Sequence, residues 1–280
     1  MTNNGNGSRI TSRFRSLGEQ KRAGLVTFVT ANDPDKETFV RILEGLPTAG
    51  ADFIEVGVPF SDPMADGPTI QESSIRALKN GVSLSEILGT VTKLRKRDMD
   101  TPIILMGYYN PIYSYGVADF AKDAAQAGVD GVIVVDLPPE EAAELNDQLL
   151  PNNIHMIFLA APTTDEERLS RILQYAGGFL YYVSVKGVTG TKVADEDSVI
   201  KAVGRIKRQT DLPVAVGFGI RTPQQAATIA RIADAAVVGS AIVDIIADGA
   251  EDAASFGTAT TSKVLDFVQQ LAEAVRGARC

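Results

Sequence analysis

Residues 51–71 read ADFIEVGVPFSDPMADGPTIQ, a short strand pattern that runs into an irregular acidic loop. The run from Phe53 to Val58 is apolar and rich in β-branched side chains, which is typical of a strand buried on both faces. One charged residue, Glu55, lies inside that run, and three prolines and a glycine then prevent regular structure. The loop adds two more carboxylates, Asp62 and Asp66. Because a buried acid costs free energy, this arrangement predicts a functional site where the strand ends.

The same unit, a short apolar strand followed by a helix, recurs eight times along the chain. The predicted strands cover 24–30, 51–58, 103–106, 131–135, 155–159, 179–183, 213–216 and 235–238. Strict strand–helix alternation predicts a parallel sheet covered by helices. Eight units in 280 residues favour a closed (β/α)8 TIM barrel, a single α/β domain over residues 9–280. The alternative, an open doubly wound sheet, usually has five or six strands.

Three local features flank this repeat near the N-terminus. Residues 1–8 are rich in Asn and Gly and lack the apolar stretch of a signal peptide, so a disordered tail is predicted. Residues 9–20 carry apolar side chains at helical spacing and predict a short amphipathic helix ahead of the first strand. Asp33, followed by Pro34, is expected to cap the helix after that strand.

Composition excludes several classes of function. The formal charge is −8 and no basic block is present, which is unlike a nucleic-acid-binding face. The sequence contains no run of eighteen apolar residues, so no membrane span is predicted. With Cys280 the only cysteine and His155 the only histidine, a Cys- or His-based metal site and Ser-His-Asp catalysis are not expected, so no metal is predicted. The single cysteine fits the reducing cytoplasm, or a plastid stroma.

Glycine-rich segments follow the last three predicted strands, at 187–190, 217–220 and 239–241. In this fold the C-terminal ends of the strands carry function, and phosphate often binds near the last strands at the start of a short extra helix. The alternative is that these glycines only make tight turns. Their occurrence after three adjacent strands favours a phosphate site.

Glu55 and Asp66 are the candidate acid–base pair. An apolar setting would raise the pKa of Glu55 toward neutrality, while Asp66 on the stiffened loop could remain ionised. The alternative for Glu55 is a buried salt bridge, but the predicted strands contain no Lys or Arg. The alternative for Asp66 is a turn-forming role before Gly67.

Four further residues, Phe28, Tyr108, Leu159 and Tyr181, could line the mouth of the barrel, although core packing would explain each equally well. His155, at the start of the fifth strand, is expected to be structural and to lie at the opposite end of the barrel.

The segment from Glu55 to Gln71 resembles the signature of the tryptophan synthase α chain family. It reads E-x-G-V-P-F-S-D-P-x-A-D-G-P-x-I-Q, and the resemblance extends from about Ile10 to Val275. Supporting motifs occur in order at strand ends: FVT at 28–30, DP at 33–34, DLP at 136–138, GVTG at 187–190, GFGI at 217–220 and GSAI at 239–242. Val185 and Lys186 depart from the family pattern, in which a small hydroxyl residue is common at the second position.

The resemblance implies a lyase that cleaves indole-3-glycerol phosphate to indole and glyceraldehyde 3-phosphate by a retro-aldol reaction. Glu55 would be the proton shuttle, and Asp66 would stabilise positive charge at the indole N–H. Tyr181 would lie near the substrate, and Thr189 would link its loop to Asp66. The full substrate-binding prediction comprises Phe28, Tyr108, Leu159, Tyr181, Thr189, Gly190, Gly219, Gly239 and Ser240.

The resemblance also implies a partner. Chains of the family dock on a β chain that carries pyridoxal phosphate, as an α2β2 assembly, so no cofactor is expected in this chain. The predicted partner-facing residues are Asp62, Asn110, Pro111 and Pro138. Two alternatives remain: a free-standing lyase that releases indole, and a weakly active barrel that mainly activates a partner. The presence of both Glu55 and Asp66 argues against the second alternative.

Overall fold

Nine parallel strands form one sheet in the computed structural model, which describes residues 7–183, 196–217, 219–251 and 257–279. The strands are β1 (Gly24–Thr30), β2 (Phe53–Gly57), β3 (Ile103–Gly107), β4 (Gly131–Val134), β5 (His155–Met156), β6 (Phe158–Ala160), β7 (Leu180–Val183), β8 (Val214–Gly217) and β9 (Ala235–Val238). Their order is β5-β4-β3-β2-β1-β9-β8-β7-β6. The first and last strands in that order are consecutive in the chain, so the sheet curls into a barrel. The predicted TIM barrel is confirmed.

Helices cover the outside of this barrel. Within the described ranges they are α1 (Arg9–Glu19), α2 (Lys36–Ala49), α3 (Pro68–Lys79), α4 (Leu84–Arg95), α5 (Tyr109–Tyr115), α6 (Val117–Ala127), α7 (Ala143–Leu149), α8 (Glu166–Leu173), α9 (Glu196–Lys207), α10 (Pro223–Ile232), α11 (Ser240–Glu251) and α12 (Thr258–Arg276). Short 3₁₀ segments occur at Pro139–Glu141, Leu150–Asn152 and Gly277–Arg279. None of these helices combines the length and the apolar character that a membrane span requires.

The predicted fifth strand, 155–159, is two short strands that meet at Ile157. His155 and Met156 pair with β4, whereas Phe158 to Ala160 pair with β7. At the junction the Ile157 N–H still donates to the Val132 carbonyl, at 2.9 Å. The break therefore marks the place where hydrogen bonding passes from one neighbouring strand to the other, and the barrel keeps its eightfold layout.

The second helix begins later than predicted, and Asp33 is not its cap. Asp35 is the N-cap of α2 and accepts hydrogen bonds from the backbone N–H groups of Glu37 and Thr38. The Asp33 carboxylate is fully buried and is occupied by the Arg76 guanidinium, at 2.7 and 2.9 Å. Asp33 therefore forms an ion pair with Arg76, 43 residues away in the chain, and the capping role belongs to Asp35.

Helix α1 closes the N-terminal end of the barrel. Its Phe14 ring packs against Phe53 in a tilted arrangement with centroids 4.6 Å apart, and it meets Phe179 edge-on at 5.8 Å. These rings form the floor of the apolar cluster inside the strands. The interior below the strand centres is therefore filled with side chains, which leaves the C-terminal end as the open one.

Polar contacts at the rim fix α1 in place. Arg9 donates to the Asp130 carboxylate at 2.9 Å. His155 Nε2 and the Ser8 hydroxyl are 2.9 Å apart, and Ser8 is also the N-cap of α1. His155 thus has the structural position expected for it. Residues 1–6 of the predicted tail lie outside the described residues.

Candidate active site

A cavity of about 200 Å³ opens at the C-terminal end of the barrel. Its lining includes eight of the residues that the sequence predicted: Phe28, Glu55, Asp66, Tyr108, Tyr181, Gly219, Gly239 and Ser240. These residues come from strands or loops that are far apart in the chain. The barrel therefore brings the predicted acid pair and part of the predicted phosphate site into one space.

Glu55 lies at the centre of β2, in register with Phe28 on one side and Ile104 on the other. Alternation along the strand points Phe53 and Glu55 to the same side, so Glu55 lies one layer above the aromatic floor. Its side chain is 0% exposed, and neither carboxylate oxygen has a hydrogen-bond partner among the described residues. The alternative of a buried salt bridge is thus not supported.

Burial raises the pKa of Glu55 to about 8. The cause is desolvation, which disfavours the charged carboxylate in an apolar setting. Near neutral pH the group is consequently mostly protonated, yet a modest stabilisation by a bound ligand would let it ionise. A carboxyl group with these properties can both donate and accept a proton.

Tyr181 and Phe28 fill space that two strand glycines leave free. A Cβ atom at Gly217 would lie 2.3 Å from the Tyr181 hydroxyl oxygen, and one at Gly57 would lie 2.5 Å from the Phe28 ring. Burial, followed by the nearby charge of Glu55, raises the pKa of Tyr181 well above its usual value. The two rings therefore line the cavity in positions that any larger residue at 57 or 217 would disturb.

The loop that carries Asp66 is fixed at two points. The Tyr108 hydroxyl accepts a hydrogen bond from the Ala65 N–H at 2.9 Å. The Gln71 amide donates to the carbonyls of Pro63 and Asp66, at 3.2 and 2.9 Å. Burial raises the pKa of Asp66, and a hydrogen bond from the Tyr108 side chain opposes that shift. Asp66 is therefore held at the cavity wall, in an environment different from that of Glu55.

A second part of the cavity lining is built from backbone at the ends of β8 and β9. Gly239 and Ser240 follow β9 directly and start α11, whose first described hydrogen bonds run from Ile242 and Val243 to the Gly239 carbonyl. The N–H groups that precede them lie at the positive end of the helix dipole, which favours an anion. Gly219 has φ of +50°, a left-handed conformation that glycine adopts without strain.

Not every predicted site residue is placed at the cavity. Leu159 is not among the lining residues and packs against the apolar cluster below, so its role in substrate binding stays a prediction. Thr189, Gly190, Val185 and Lys186 lie outside the described residues.

Of the partner-facing predictions, Asp62 and Asn110 are exposed, and Pro111 and Pro138 are partly exposed. All four follow the C-terminal ends of strands, on the side of the cavity. Their contact with a partner stays a prediction.

Several residues at the site were not predicted from the sequence. Thr30, Ile70 and Ser74 line the cavity, and Gln71 supports the Asp66 loop. A signal was available for Gln71, since it ends the long motif that contains Glu55 and Asp66. In the described part of the chain, no three His, Cys, Asp or Glu side chains are grouped so that they could hold a metal ion.

The sequence matches the family described as "Tryptophan synthase alpha chain" over residues 14–276. The chain belongs to the tryptophan synthase alpha chain family. Relatives of that name include those of Caulobacter sp. (strain K31), 56% identical over 271 residues, and Gluconacetobacter diazotrophicus, 52% identical over 272 residues. Each match covers 97% of this chain, and 97% and 99% of the respective relative.

Solved structures of tryptophan synthase agree with this assignment. Tryptophan synthase subunit alpha from Legionella pneumophila str. Paris superposes with a TM-score of 0.89 at 38% identity, over 96% of this chain and 98% of that one. A structure of Mycobacterium tuberculosis tryptophan synthase gives a TM-score of 0.86 at 36% identity, over 96% and 99%. The tryptophan synthase alpha chain family consists of lyases that convert indole-3-glycerol phosphate to indole and glyceraldehyde 3-phosphate, and its members work with a β chain. The predicted family and reaction class are confirmed.

Proposed function

We propose that this chain cleaves indole-3-glycerol phosphate in the cavity at the barrel mouth, with Glu55 and Asp66 as its catalytic residues, as the α subunit of a tryptophan synthase. The observation that carries this proposal is the Glu55 carboxyl group. It is completely buried, has no partner among the described residues, and shares the cavity with Asp66. A carboxyl group whose burial costs free energy, and which forms no hydrogen bond in return, is typical of a catalytic residue.

The chemistry requires two proton transfers at one carbon–carbon bond. Protonated Glu55 gives its proton to indole C3, which makes the ring an electron sink with positive charge at N1. Asp66 accepts a hydrogen bond from the indole N1–H and stabilises that charge. Glu55, now ionised, takes the proton of the adjacent glycerol hydroxyl, the bond from C3 to that carbon breaks, and its electron pair restores the indole ring. Glyceraldehyde 3-phosphate leaves, and Glu55 is protonated again.

Phosphate bound at the backbone groups after β8 and β9 would hold the substrate in place for these steps. Gly219, Gly239 and Ser240 supply the described part of this cradle, and Thr189 and Gly190 are proposed to complete it. Phe28, Tyr108, Tyr181 and Leu159 are proposed to contact the indole or the glycerol chain. Binding energy from a remote phosphate is available for orienting the reacting bond.

The proposal includes the partner and the location. Asp62, Asn110, Pro111 and Pro138 would face the β chain in an α2β2 assembly. Pyridoxal phosphate would belong to that partner, with no cofactor in this chain. The expected location is the cytoplasm.

Release of indole tests the proposed function directly. The isolated chain, given indole-3-glycerol phosphate, should release indole and glyceraldehyde 3-phosphate in equal amounts, and faster once a β chain is added. Absence of indole under both conditions would overturn the proposal. Turnover that is unaffected by the β chain would instead favour the free-standing lyase.

The phosphate cradle predicts a specific effect of Gly239→Asp. A carboxylate there would repel the phosphate dianion, so the Kd of glycerol 3-phosphate should rise about 10- to 100-fold. Gly239→Ala is the matched control, because its Cβ would meet Phe28 at 3.4 Å, an ordinary contact distance. Titration calorimetry measures both. Unchanged affinity in the Asp variant would place the phosphate elsewhere.

A further inference from the structure

Three segments of the cavity wall meet on one carboxylate, that of Asp244 in α11. Its Oδ1 accepts a hydrogen bond from the Thr69 hydroxyl at 3.0 Å. Its Oδ2 accepts one from the Arg221 guanidinium at 2.7 Å. Because each oxygen is used by a different segment, Asp244 bridges these segments and does not merely neutralise a charge.

Each end of this bridge is close in sequence to a residue of the cavity. Thr69 lies in the first turn of α3, three residues after Asp66. Asp244 lies one helical turn after Ser240, which starts α11. Arg221 follows Gly219 by two residues. The bridge thus spans the acid loop and both described parts of the phosphate cradle.

The bridge can hold α3, α11 and the segment of Arg221 in position relative to one another, but it contributes little to the overall stability of the fold. Arg221 is 60% exposed and Asp244 is 35% exposed, and ion pairs in such surroundings stabilise a fold only weakly. Tyr108 and Gln71 already hold the Asp66 loop against β3 and α3. Among the described hydrogen bonds, however, only that from Thr69 to Asp244 ties the acid side of the cavity to α11.

We propose that Asp244 is a positioning residue for the lyase reaction. Through Thr69 it fixes the start of α3, and with it Asp66, relative to the helix that is to hold the phosphate. This inference rests on the proposed function. Small displacements between a bound substrate and a catalytic group can lower the rate by up to about 10²-fold, so a short polar link across the mouth has a kinetic value that its stability contribution does not show.

Thr69→Val tests the link, because valine keeps the shape of threonine without the hydroxyl. We expect kcat for indole release to fall about 5- to 20-fold, with KM changed less than about twofold, because the phosphate cradle stays intact. Thr69→Ser restores the hydroxyl and should recover wild-type kcat. Thr92→Val is the matched control, since its hydroxyl donates within its own helix, to the Leu88 carbonyl at 3.0 Å. Wild-type kcat in Thr69→Val would overturn the proposal.

A double variant tests whether the two residues act through one bond. Asp244→Ala removes the acceptor and should lower kcat at least as much as Thr69→Val. Combining the two should cost no more than Asp244→Ala alone. Multiplied losses would show independent roles and overturn the proposed bridge. Asp248→Asn, on the exposed side of α11 one turn further along, is the matched control and should keep wild-type kcat.

Amide exchange provides a readout that does not depend on activity. The N–H groups of Ala65 and Asp66 are bonded to the Tyr108 hydroxyl and to the Pro63 carbonyl. In Thr69→Val they should exchange about 3- to 10-fold faster, while amides in the centre of α12 are unchanged. If the wild-type chain fails to cleave the substrate but this loosening occurs, the proposed function fails while the bridge stands. If the wild-type chain is active and the exchange is unchanged, the bridge fails while the function stands.

Discussion

Glu55→Gln should lower the rate of indole-3-glycerol phosphate cleavage by about 10²- to 10⁴-fold, because glutamine can neither give nor take the proton. Glutamine has nearly the same shape, so the cavity is preserved. Glycerol 3-phosphate, which would be held by the backbone at Gly219, Gly239 and Ser240 and not by Glu55, should bind with unchanged affinity. Single-turnover measurement of indole formation and titration calorimetry with glycerol 3-phosphate check the two halves of this prediction.

A matched control separates this effect from a general one. Glu273 is exposed on α12, on the outside of the barrel, and Glu273→Gln should retain wild-type turnover. If Glu55→Gln keeps a near wild-type rate, the assignment of the proton shuttle is wrong. If it loses glycerol 3-phosphate binding as well, the substitution has damaged the cavity, and the rate then says nothing specific about proton transfer.

As the pH rises, the Glu55→Gln variant should gain stability relative to the wild-type chain. Burial raises the pKa of Glu55 from its ordinary value of 4.5 to about 8 in the folded chain. The stability associated with the protonated carboxyl is fully present below about pH 4.5 and is lost as the pH rises to about 8, at up to about 1.4 kcal/mol per pH unit. Glutamine does not ionise, so it escapes that loss.

Urea unfolding of both chains at pH 5, 6.5 and 8 measures the difference. The stability of Glu55→Gln relative to wild type should increase at each step, by a few kcal/mol in total. The test is the slope with pH, because a buried glutamine amide without partners carries a constant cost of its own. A difference that does not change with pH would mean that Glu55 is not buried as an unpaired acid.

Much of the architecture could be predicted because it depends on local patterns. Eight short apolar runs alternating with amphipathic segments favour a parallel barrel, and the position of a residue at a strand end follows from the fold. Glu55 could be placed inside a strand, and Gly239 at the start of a helix, from neighbouring residues alone. The cavity was therefore predictable as a set of strand ends.

What escaped prediction depends on pairs of residues distant in the chain. Asp33 precedes a helix as a capping residue would, but Arg76 takes its carboxylate. Thr69 and Asp244 are 175 residues apart, and nothing in their local sequences points to a hydrogen bond between them. The absence of Lys and Arg from the strands suggested that Glu55 is unpaired, yet an arginine from a helix could have reached it. Only the packed structure excludes that within the described residues.

Helix α1, which closes the N-terminal end of the barrel, has a consequence for synthesis. It is synthesised before the strands that it covers, and one of its partners, Asp130, lies 121 residues after Arg9. At a synthesis rate of about 5–20 residues per second, Asp130 is added to the chain about 6–24 s after Arg9. During this time its apolar face, with Phe14, has none of its final contacts on Phe179. Growing chains should therefore be most prone to bind chaperones before residue 179 emerges.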